Sequence, residues 1–230
     1  MFGTGMRLDF YIFNKYDPYR VIFPQIALIF IGLLILRLFF ALTKCFKTFV
    51  LPIFIRRNLK KEYGKWAVIT GCTQGIGLSY AEQLAQNGLN LVLIARNLSK
   101  LEEISQKIQV KHKIQVEFIV ADFAQGPHIF KIIEDGLENK DIGILVNNVG
   151  VSYPYPLYFH ELHSEDLLTL LNVNINSAVS MTQIILPRLK TKKKGAIINI
   201  GSCSGLAPFP LVTVYSATKA FLDFFSRDLS

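Results

Sequence analysis

The residues best suited to chemistry lie near the end of the chain, where Tyr215 and Lys219 are four positions apart. On a helix, side chains at this spacing share one face, so the ammonium group lies beside the phenol. A neighbouring cation favours the phenolate and lowers the pKa of a tyrosine toward the working pH. Such a phenol can protonate a carbonyl oxygen as hydride reaches the carbonyl carbon. The pair therefore predicts a tyrosine acid for carbonyl reduction.

A third candidate for this chemistry is Ser202, which lies 13 residues before Tyr215 and just past a predicted strand. From the edge of a sheet its hydroxyl can hydrogen-bond the same carbonyl oxygen. Any one of the three residues can occur at its position by chance, but all three in this order and at these spacings are much rarer. The pattern therefore favours a catalytic group of Ser202, Tyr215 and Lys219.

A glycine-rich segment, residues 70–77, follows a predicted strand and opens a predicted helix. Glycines let the backbone approach a ligand so closely that its N–H groups reach phosphate oxygens. A glycine cluster alone can simply form a turn, but the strand–turn–helix context favours a phosphate-bearing dinucleotide, although the glycine spacing differs from G-x-G-x-x-G. The predicted contacts from this segment are Gly71, Thr73, Gln74, Gly75, Ile76 and Gly77.

Polar residues at the ends of the next strands extend this site. Arg96 stands where an acidic residue would hold the ribose 2′-OH of NAD, and an arginine there suits a 2′-phosphate, so NADPH/NADP+ is the predicted cofactor. Asp122 is placed either to contact the adenine side or to cap a turn. Asn148 and Gly150 are expected to line the cofactor crevice. Asn147 either lines the crevice too or has only a structural role, tying strand ends together.

The elements that position these residues alternate between short apolar runs and helical stretches. The predicted strands are 66–70, 90–95, 114–121, 143–147 and 195–200, and the predicted helices are 76–87, 98–110, 127–138 and 164–190. Continuously apolar strand cores are typical of parallel strands buried on both faces. The alternation therefore predicts an α/β domain with a doubly wound parallel sheet.

Residues 21–43 precede this domain as an apolar window in which Gln25 and Arg37 are the strongly polar residues. The window is long enough to cross a bilayer as a helix, which predicts a membrane anchor. A buried core helix and a cleaved signal peptide are the alternatives, although some twenty mixed residues precede the apolar run. The predicted organisation is an N-terminal segment 1–20, an anchor 21–43, a basic linker 44–64 and a cofactor-binding domain 65–230.

The net charge of +8 belongs to the N-terminal part, because residues 1–65 contain 11 Lys and Arg against three Asp and Glu, whereas residues 66–230 contain 14 of each. The globular part therefore gives no support for nucleic-acid binding, and the basic flank suits anionic lipid. More cations follow the apolar window than precede it, which places the domain in the cytosol by the positive-inside rule. The three sparse cysteines and four histidines show no metal-ligand motif.

These motifs resemble the signatures of the classical short-chain dehydrogenases/reductases over roughly residues 60–230. The resemblance is carried by residues 70–77 and 147–150, by Ser202, and by residues 215–219. The longer stretches 63–70, 142–150 and 215–221 resemble the branch that holds very-long-chain 3-oxoacyl-CoA reductases and 17β-hydroxysteroid dehydrogenases.

The resemblance implies a Rossmann fold with strand order 3-2-1-4-5 and assigns roles to four residues. Tyr215 would be the general acid/base, Lys219 would bind the nicotinamide ribose, Ser202 would position the substrate carbonyl, and Asn174 would be the fourth catalytic residue, in a proton relay. Members of this branch use NADPH and are typically anchored in the endoplasmic reticulum membrane. The implied substrate is a lipid ketone, either a 3-oxoacyl-CoA of fatty-acid elongation or a 17-ketosteroid, and the family often forms homodimers.

Family members continue past the Tyr-x-x-x-Lys helix with two more strands and a substrate-binding loop, whereas this sequence stops at Ser230. The expected sheet therefore lacks its last strands and has an exposed edge. This leaves an alternative from another class, a catalytically inactive dehydrogenase-like protein that acts as a membrane-bound partner or regulator. A related dehydrogenase-like protein loses the catalytic tyrosine, which this chain keeps as Tyr215.

Overall fold

The computed structural model describes residues 18–51 and 58–229. The chain divides into two compact units, residues 1–57 and 58–230. Most of the predicted N-terminal segment 1–20, and residues 52–57 of the predicted linker, lie outside the described residues.

The described part of the first unit is one long helix, α1, at Pro18–Cys45, which continues as a π-helical turn at Phe46–Val50. The helix extends slightly beyond the predicted window 21–43 at both ends. Within Ile22–Val50, its most apolar window of 18 residues has a mean hydropathy of 2.6 and buries none of its residues. Its length and composition suit a membrane span. A core helix would be buried, so this exposure disfavours that alternative, whereas a signal sequence meets the same criteria.

The second unit is built on a parallel sheet of five strands in the order β3-β2-β1-β4-β5, which confirms the predicted topology. The strands are β1 at Trp66–Thr70, β2 at Asn90–Ala95, β3 at Val116–Val120, β4 at Ile142–Asn147 and β5 at Ala196–Asn199. The central strands β1 and β4 are buried at every position, whereas the edge strands β3 and β5 are partly exposed. The continuously apolar sequence of the central strands follows from this two-sided burial.

Helices cover both faces of the sheet. They are α2 at Leu59–Glu62, α3 at Gly75–Gln86, α4 at Leu98–His112, α5 at Ile129–Gly136, α6 at Ser164–Leu171, α7 at Ser177–Lys192 and α8 at Thr213–Asp228. Neighbouring strand residues face opposite layers, so Val68 packs in the core beside Ile133 and Met181, while Ile69 packs in the core beside Leu84 and Leu101. The two apolar cores cover the two faces of the sheet, and its carboxyl edge is left for the site.

One predicted helix differs from the structure. The predicted helix 164–190 is divided into α6 and α7 by a π-helical turn at Asn172–Asn176. A π turn inserts one residue into the helical repeat, and such turns are common at functional sites. Residues 164–176 contain neither glycine nor proline, the usual helix breakers, so the sequence does not reveal the division.

Candidate cofactor and catalytic site

A crevice of about 490 Å³ lies where the carboxyl ends of the strands meet. Such crevices are the usual ligand sites of open parallel sheets. Eleven of the predicted site residues line it: Gly71, Thr73, Gln74, Gly75, Ile76, Arg96, Asp122, Asn148, Gly150, Tyr215 and Lys219. The fold therefore brings together, on one surface, residues that are spread over nearly 150 positions of the sequence.

The glycine-rich turn owes its shape to two positive backbone angles, φ +64° at Gly71 and φ +57° at Gly75. L side chains are disfavoured at such angles, which explains both glycines. A Cβ atom at Gly71 would also lie 2.8 Å from the Cα of Val149, on the neighbouring strand end. The turn therefore needs glycine both for its conformation and for its close approach to β4.

Gly77, which was predicted to contact the cofactor, does not line the crevice. It is buried behind the turn, and a Cβ atom there would collide with the backbone of Gly71 and the amide of Asn148. Its function is close packing of helix α3 against the turn, which only glycine permits.

Helix α3 begins at Gly75 and directs its amino end toward the crevice. Its N-cap residue, Gln74, makes no side-chain capping hydrogen bond. The first N–H groups of a helix have no partner within the helix, and together with the helix dipole they form a site for anions. The turn and this helix end are thus suited to the phosphates of a dinucleotide.

Thr70 and Asn148 join the ends of β1 and β4, and Thr70 was not among the predicted site residues. Its hydroxyl donates to the carbonyl oxygen of Val146 at 3.3 Å and accepts from the N–H groups of Asn148 and Val149 at 3.0 and 3.1 Å. The Asn148 amide donates in turn to the carbonyl oxygens of Thr70 and Gly71 at 3.1 and 2.8 Å. Asn148 therefore holds the glycine turn in place as well as lining the crevice.

Asn147 is buried beneath the crevice floor. Its amide donates to the hydroxyl of Thr182 at 3.3 Å and to the side-chain oxygen of Asn199 at 2.8 Å. These bonds tie β4 to α7 and β5, so the structural alternative for Asn147 is the one that the geometry supports.

Arg96 and Asp122 lie at the ends of β2 and β3 and face the same part of the crevice. Arg96 is exposed, and no acidic side chain within residues 58–229 pairs with it. A free guanidinium beside a phosphate-binding turn suits a 2′-phosphate. One oxygen of Asp122 accepts from the N–H of Ala124 at 3.1 Å and so caps a 3₁₀ turn, while the residue also lines the crevice. The two predicted roles of Asp122 are compatible.

Tyr215 and Lys219 lie on one face of α8, as the spacing predicted. The Lys219 Nζ atom is 5.7 Å from the centre of the Tyr215 ring, and it donates to the carbonyl oxygen of Ile200 at 2.9 Å. Only 5% of Lys219 is exposed, and this burial lowers its pKa from the ordinary lysine value. An ammonium has three hydrogens, so two remain for the phenol side and for a ligand in the crevice.

Ser202 lies just beyond β5 and caps the 3₁₀ turn Cys203–Gly205. Its oxygen accepts hydrogen bonds from the N–H and the hydroxyl of Ser204, at 3.2 and 2.9 Å. Ser202 does not itself line the crevice, although its neighbour Gly201 does. A hydroxyl that accepts twice still has its own hydrogen to donate. The Ser204 bonds therefore orient the Ser202 hydroxyl and leave that hydrogen for a carbonyl oxygen.

Asn174 is buried in the π-helical turn behind the crevice. Its oxygen accepts from the N–H of Val151 at 2.8 Å, and its amide donates to the carbonyl oxygen of Val151 at 2.9 Å and to the hydroxyl of Thr218 at 3.1 Å. Both amide hydrogens are thus engaged. The side chain connects the segment after β4 to α8, next to Lys219, and its place in a proton relay stays a prediction.

Cys72, inside the glycine-rich turn, has no part in this chemistry. It is buried, its thiol points to the carbonyl oxygen of Ile94 at 3.8 Å, and burial raises its pKa to about 12. A thiol with so high a pKa is not a nucleophile at neutral pH. Within residues 18–51 and 58–229, no group of three His, Cys, Asp or Glu side chains is arranged to hold a metal ion.

The sequence model of the family described as short chain dehydrogenase matches residues 65–230. The chain belongs to this family. Among curated relatives of this short-chain dehydrogenase, the very-long-chain 3-oxoacyl-CoA reductase of Homo sapiens is 50% identical over 168 residues, which cover 72% of this chain and 54% of the relative. The inactive hydroxysteroid dehydrogenase-like protein 1 of Homo sapiens is 49% identical over 174 residues, which cover 76% and 53%.

Solved structures agree with the family. A short-chain dehydrogenase from Sphingobium yanoikuyae in complex with NADPH is 34% identical, superposes with a TM-score of 0.67, and is matched over 71% of this chain and 64% of its own. The predicted cofactor NADPH/NADP+ agrees with this relative. The chain spans about half the length of the curated relatives that it matches.

Proposed function

We propose that this short-chain dehydrogenase reduces a ketone group on a lipid substrate, with NADPH as the hydride source. The observation that carries the proposal is the position of Tyr215 and Lys219 in the same crevice as the glycine turn and Arg96. An acid, a cation and a phosphate-binding turn are the parts that nicotinamide-dependent carbonyl reduction requires.

Three groups of crevice residues suit three parts of the cofactor. The amino end of α3 and the glycine turn would hold the pyrophosphate, Arg96 the 2′-phosphate, and Lys219 the nicotinamide ribose. When bound there, NADPH supplies the hydride that reduces the carbonyl carbon. A Cβ atom at Gly150 would lie 3.4 Å from the Lys219 Nζ atom, so the glycine keeps the space beside this ammonium open for the ligand.

The protein's own side chains handle the proton. The Tyr215 phenol donates its proton to the substrate oxygen, which becomes the hydroxyl of the product. The Lys219 ammonium, 5.7 Å from the ring centre, stabilises the phenolate that remains. The Ser202 hydroxyl, oriented by Ser204, donates a hydrogen bond to the same oxygen and holds it in place.

We propose a long-chain 3-oxoacyl-CoA as the substrate, since the very-long-chain 3-oxoacyl-CoA reductase of Homo sapiens is 50% identical over 168 residues. A 17-ketosteroid is the other lipid ketone of this branch. Helix α1 would anchor the protein in the endoplasmic reticulum membrane, with the domain in the cytosol, because cations are concentrated after the apolar window. A homodimer is a further expectation from the family.

A second candidate function is a membrane-bound partner or regulator without catalysis. One observation favours it: a relative named as an inactive hydroxysteroid dehydrogenase-like protein is 49% identical to this chain.

The deciding experiment measures NADPH oxidation by the full chain in membranes with a long-chain 3-oxoacyl-CoA, beside a Tyr215→Phe variant. We expect turnover that falls at least about 100-fold in the variant, in the range that general acid catalysis contributes, while NADPH still binds. Binding of NADPH without turnover on either an acyl-CoA or a 17-ketosteroid would support the second candidate. Turnover that survives in Tyr215→Phe would refute the assigned acid.

A further inference from the structure

The lysines of the second unit are concentrated at the edge of the sheet opposite the crevice. The segments that lead into the five strands, residues 58–65, 87–89, 111–115, 138–141 and 190–195, contain ten Lys and three Asp or Glu. The rest of residues 58–230 contains seven Lys or Arg and twelve Asp or Glu. Because the strands are parallel, their amino ends lie at one edge. A nearly neutral domain therefore has one strongly basic edge, here called the basic edge and defined by these five segments.

Contacts between the segments show that the basic edge is one surface. The Lys194 ammonium donates to the carbonyl oxygen of Lys61 at 3.3 Å, which joins the turn before β5 to α2. The Lys192 ammonium pairs with Asp141 at 2.9 Å, which joins α7 to the turn before β4. One depression in the surface is bordered by residues from four segments, among them Lys60, Lys65, Lys113 and Asp141.

Most of these charges are not neutralised by the protein. Within the described residues, ion pairs from the basic edge join Lys111 to Glu82, Lys140 to Glu117 and Lys192 to Asp141. Seven further lysines are exposed and in no such pair: Lys60, Lys61, Lys65, Lys113, Lys190, Lys193 and Lys194. Like charges that crowd one edge repel each other, so an external polyanion would be attracted to it.

Helix capping accounts for only part of this pattern. Helices α4 and α7 end at the basic edge, and cations in a last turn are favoured by the helix dipole. This effect falls off within one turn, so it explains Lys111, Lys190 and Lys192 in the last turns. It also reaches the C-cap residues Lys113 and Lys193. It does not explain Lys65, which precedes a strand. The lysines of α2 also fall outside it, because that helix has only four residues.

We propose that the basic edge docks on the surface of an anionic bilayer, with its lysine ammonium groups against the lipid headgroups. The proposal rests on the membrane anchor proposed above. Charge complementarity supports it, and so does the order of the sequence, because the apolar segment ends at Val50 and the basic edge begins at Asn58. Docked in this way, the domain opens its crevice away from the bilayer, because the crevice lies at the opposite edge of the sheet.

The test uses the full chain in vesicles of phosphatidylcholine alone or with about 30% phosphatidylserine. The rate of acetylation of each lysine by an uncharged N-hydroxysuccinimide ester is measured by mass spectrometry. We expect Lys113, Lys193 and Lys194 to react several-fold more slowly with phosphatidylserine present, and this protection to disappear in high salt. The internal controls are Lys100 and Lys107, exposed on α4 outside the basic edge, whose rates should be the same in both vesicles.

A variant with Lys113→Gln, Lys193→Gln and Lys194→Gln should lose the protection of Lys60 and Lys65. The matched variant, with Lys100→Gln, Lys107→Gln and Lys131→Gln, should keep it. Equal acetylation rates in the two kinds of vesicle would overturn the proposal. A second result would also overturn it. If phosphatidylserine gives no protection but RNA added to neutral vesicles does protect the lysines, the basic edge is a nucleic-acid surface.

The membrane anchor is tested separately in the same preparation. A chain that floats with neutral vesicles and resists alkaline extraction has its anchor, whatever the outcome at the basic edge. A chain that alkaline extraction removes would contradict the anchor and, with it, the docking proposal.

Discussion

The phenol oxygen of Tyr153 accepts a hydrogen bond of 3.1 Å from the backbone N–H of Val214, the residue directly before Tyr215. Val214 lies in the first turn of α8, and the N-cap residue Val212 offers no side-chain acceptor. N–H groups of a first turn have no partner within their helix. Tyr153 therefore holds the start of the helix that carries the proposed acid.

Two other contacts join the same segment after β4 to α8 and to the loop before it. The N–H of Leu157 donates to the carbonyl oxygen of Leu211 at 2.9 Å. Asn174 bonds both backbone groups of Val151 and the hydroxyl of Thr218. Val151, Tyr153 and Leu157 of this segment thus act together to fix the position of α8 relative to β4.

We expect Tyr153→Phe to lower kcat by about five-fold, because one hydrogen bond contributes about 1 kcal/mol and the change frees the helix start. The Kd for NADPH should stay unchanged, since Tyr153 is absent from the crevice lining. Steady-state kinetics with a long-chain 3-oxoacyl-CoA and a separate NADPH titration check both parts. Tyr155→Phe, at an exposed tyrosine nearby, is the control. An equal loss in both variants, or a change in NADPH affinity alone, would contradict a positioning role for Tyr153.

Replacement of Arg96 by alanine should weaken NADPH binding by about 10- to 100-fold, the range expected for loss of a hydrogen bond between charged groups. NADH lacks the 2′-phosphate, so its affinity should change little. Fluorescence titration with both nucleotides measures the ratio. Lys100→Ala removes a nearby exposed cation that does not line the crevice, and it should leave both affinities as they are. If the affinities for NADH and NADPH fall equally, Arg96 does not bind the 2′-phosphate.

Gly77→Ala should destabilise the domain by about 1–3 kcal/mol, since the added methyl group meets backbone that cannot move away easily. The midpoint of thermal or denaturant unfolding of the full chain in detergent measures the effect. Gly201→Ala is the matched control, because a Cβ atom there meets nothing within 4 Å. If the two variants unfold together, the close packing of α3 on the glycine turn is not what Gly77 provides.

The sheet and most of the crevice were predictable because their signals are local. Short apolar runs such as Leu91–Ile94 can be recognised from a few consecutive residues. The glycine turn and the Tyr215–Lys219 pair each lie within eight residues. The resemblance carried by these motifs predicted the strand order. The places of residues in the motifs and at strand ends predicted eleven residues of the crevice.

The contacts that the sequence did not reveal join residues far apart in the chain. Tyr153 and Val214 are 61 positions apart, and Thr70 bonds Asn148 across 78. No local pattern marks such pairs, since a tyrosine in a loop and a threonine at a strand end are ordinary residues. The π-helical turn that contains Asn174 is hidden for a different reason, because no glycine or proline interrupts the helix there.

The buried lysine predicts a dependence of stability on pH. Burial lowers the pKa of Lys219, so above this lowered pKa the folded state binds fewer protons than the unfolded state, whose lysine pKa is about 10.4. Stability therefore rises with pH between the lowered pKa and about 10.4. Below that window, the cost of burying the charged lysine is present in full.

Lys219→Met removes this titration and fills a similar volume. Denaturant unfolding of both proteins over a pH series should show the free energy of unfolding of the native chain rising relative to Lys219→Met as pH increases through the window. The difference between the two proteins cancels the lysines and tyrosines that are distant from Lys219. The same comparison in a Tyr215→Phe background removes the neighbouring phenol. A difference that is constant with pH would mean that the pKa of Lys219 is the same in the folded and unfolded states, and that its hydrogen bond to Ile200 compensates fully for burial.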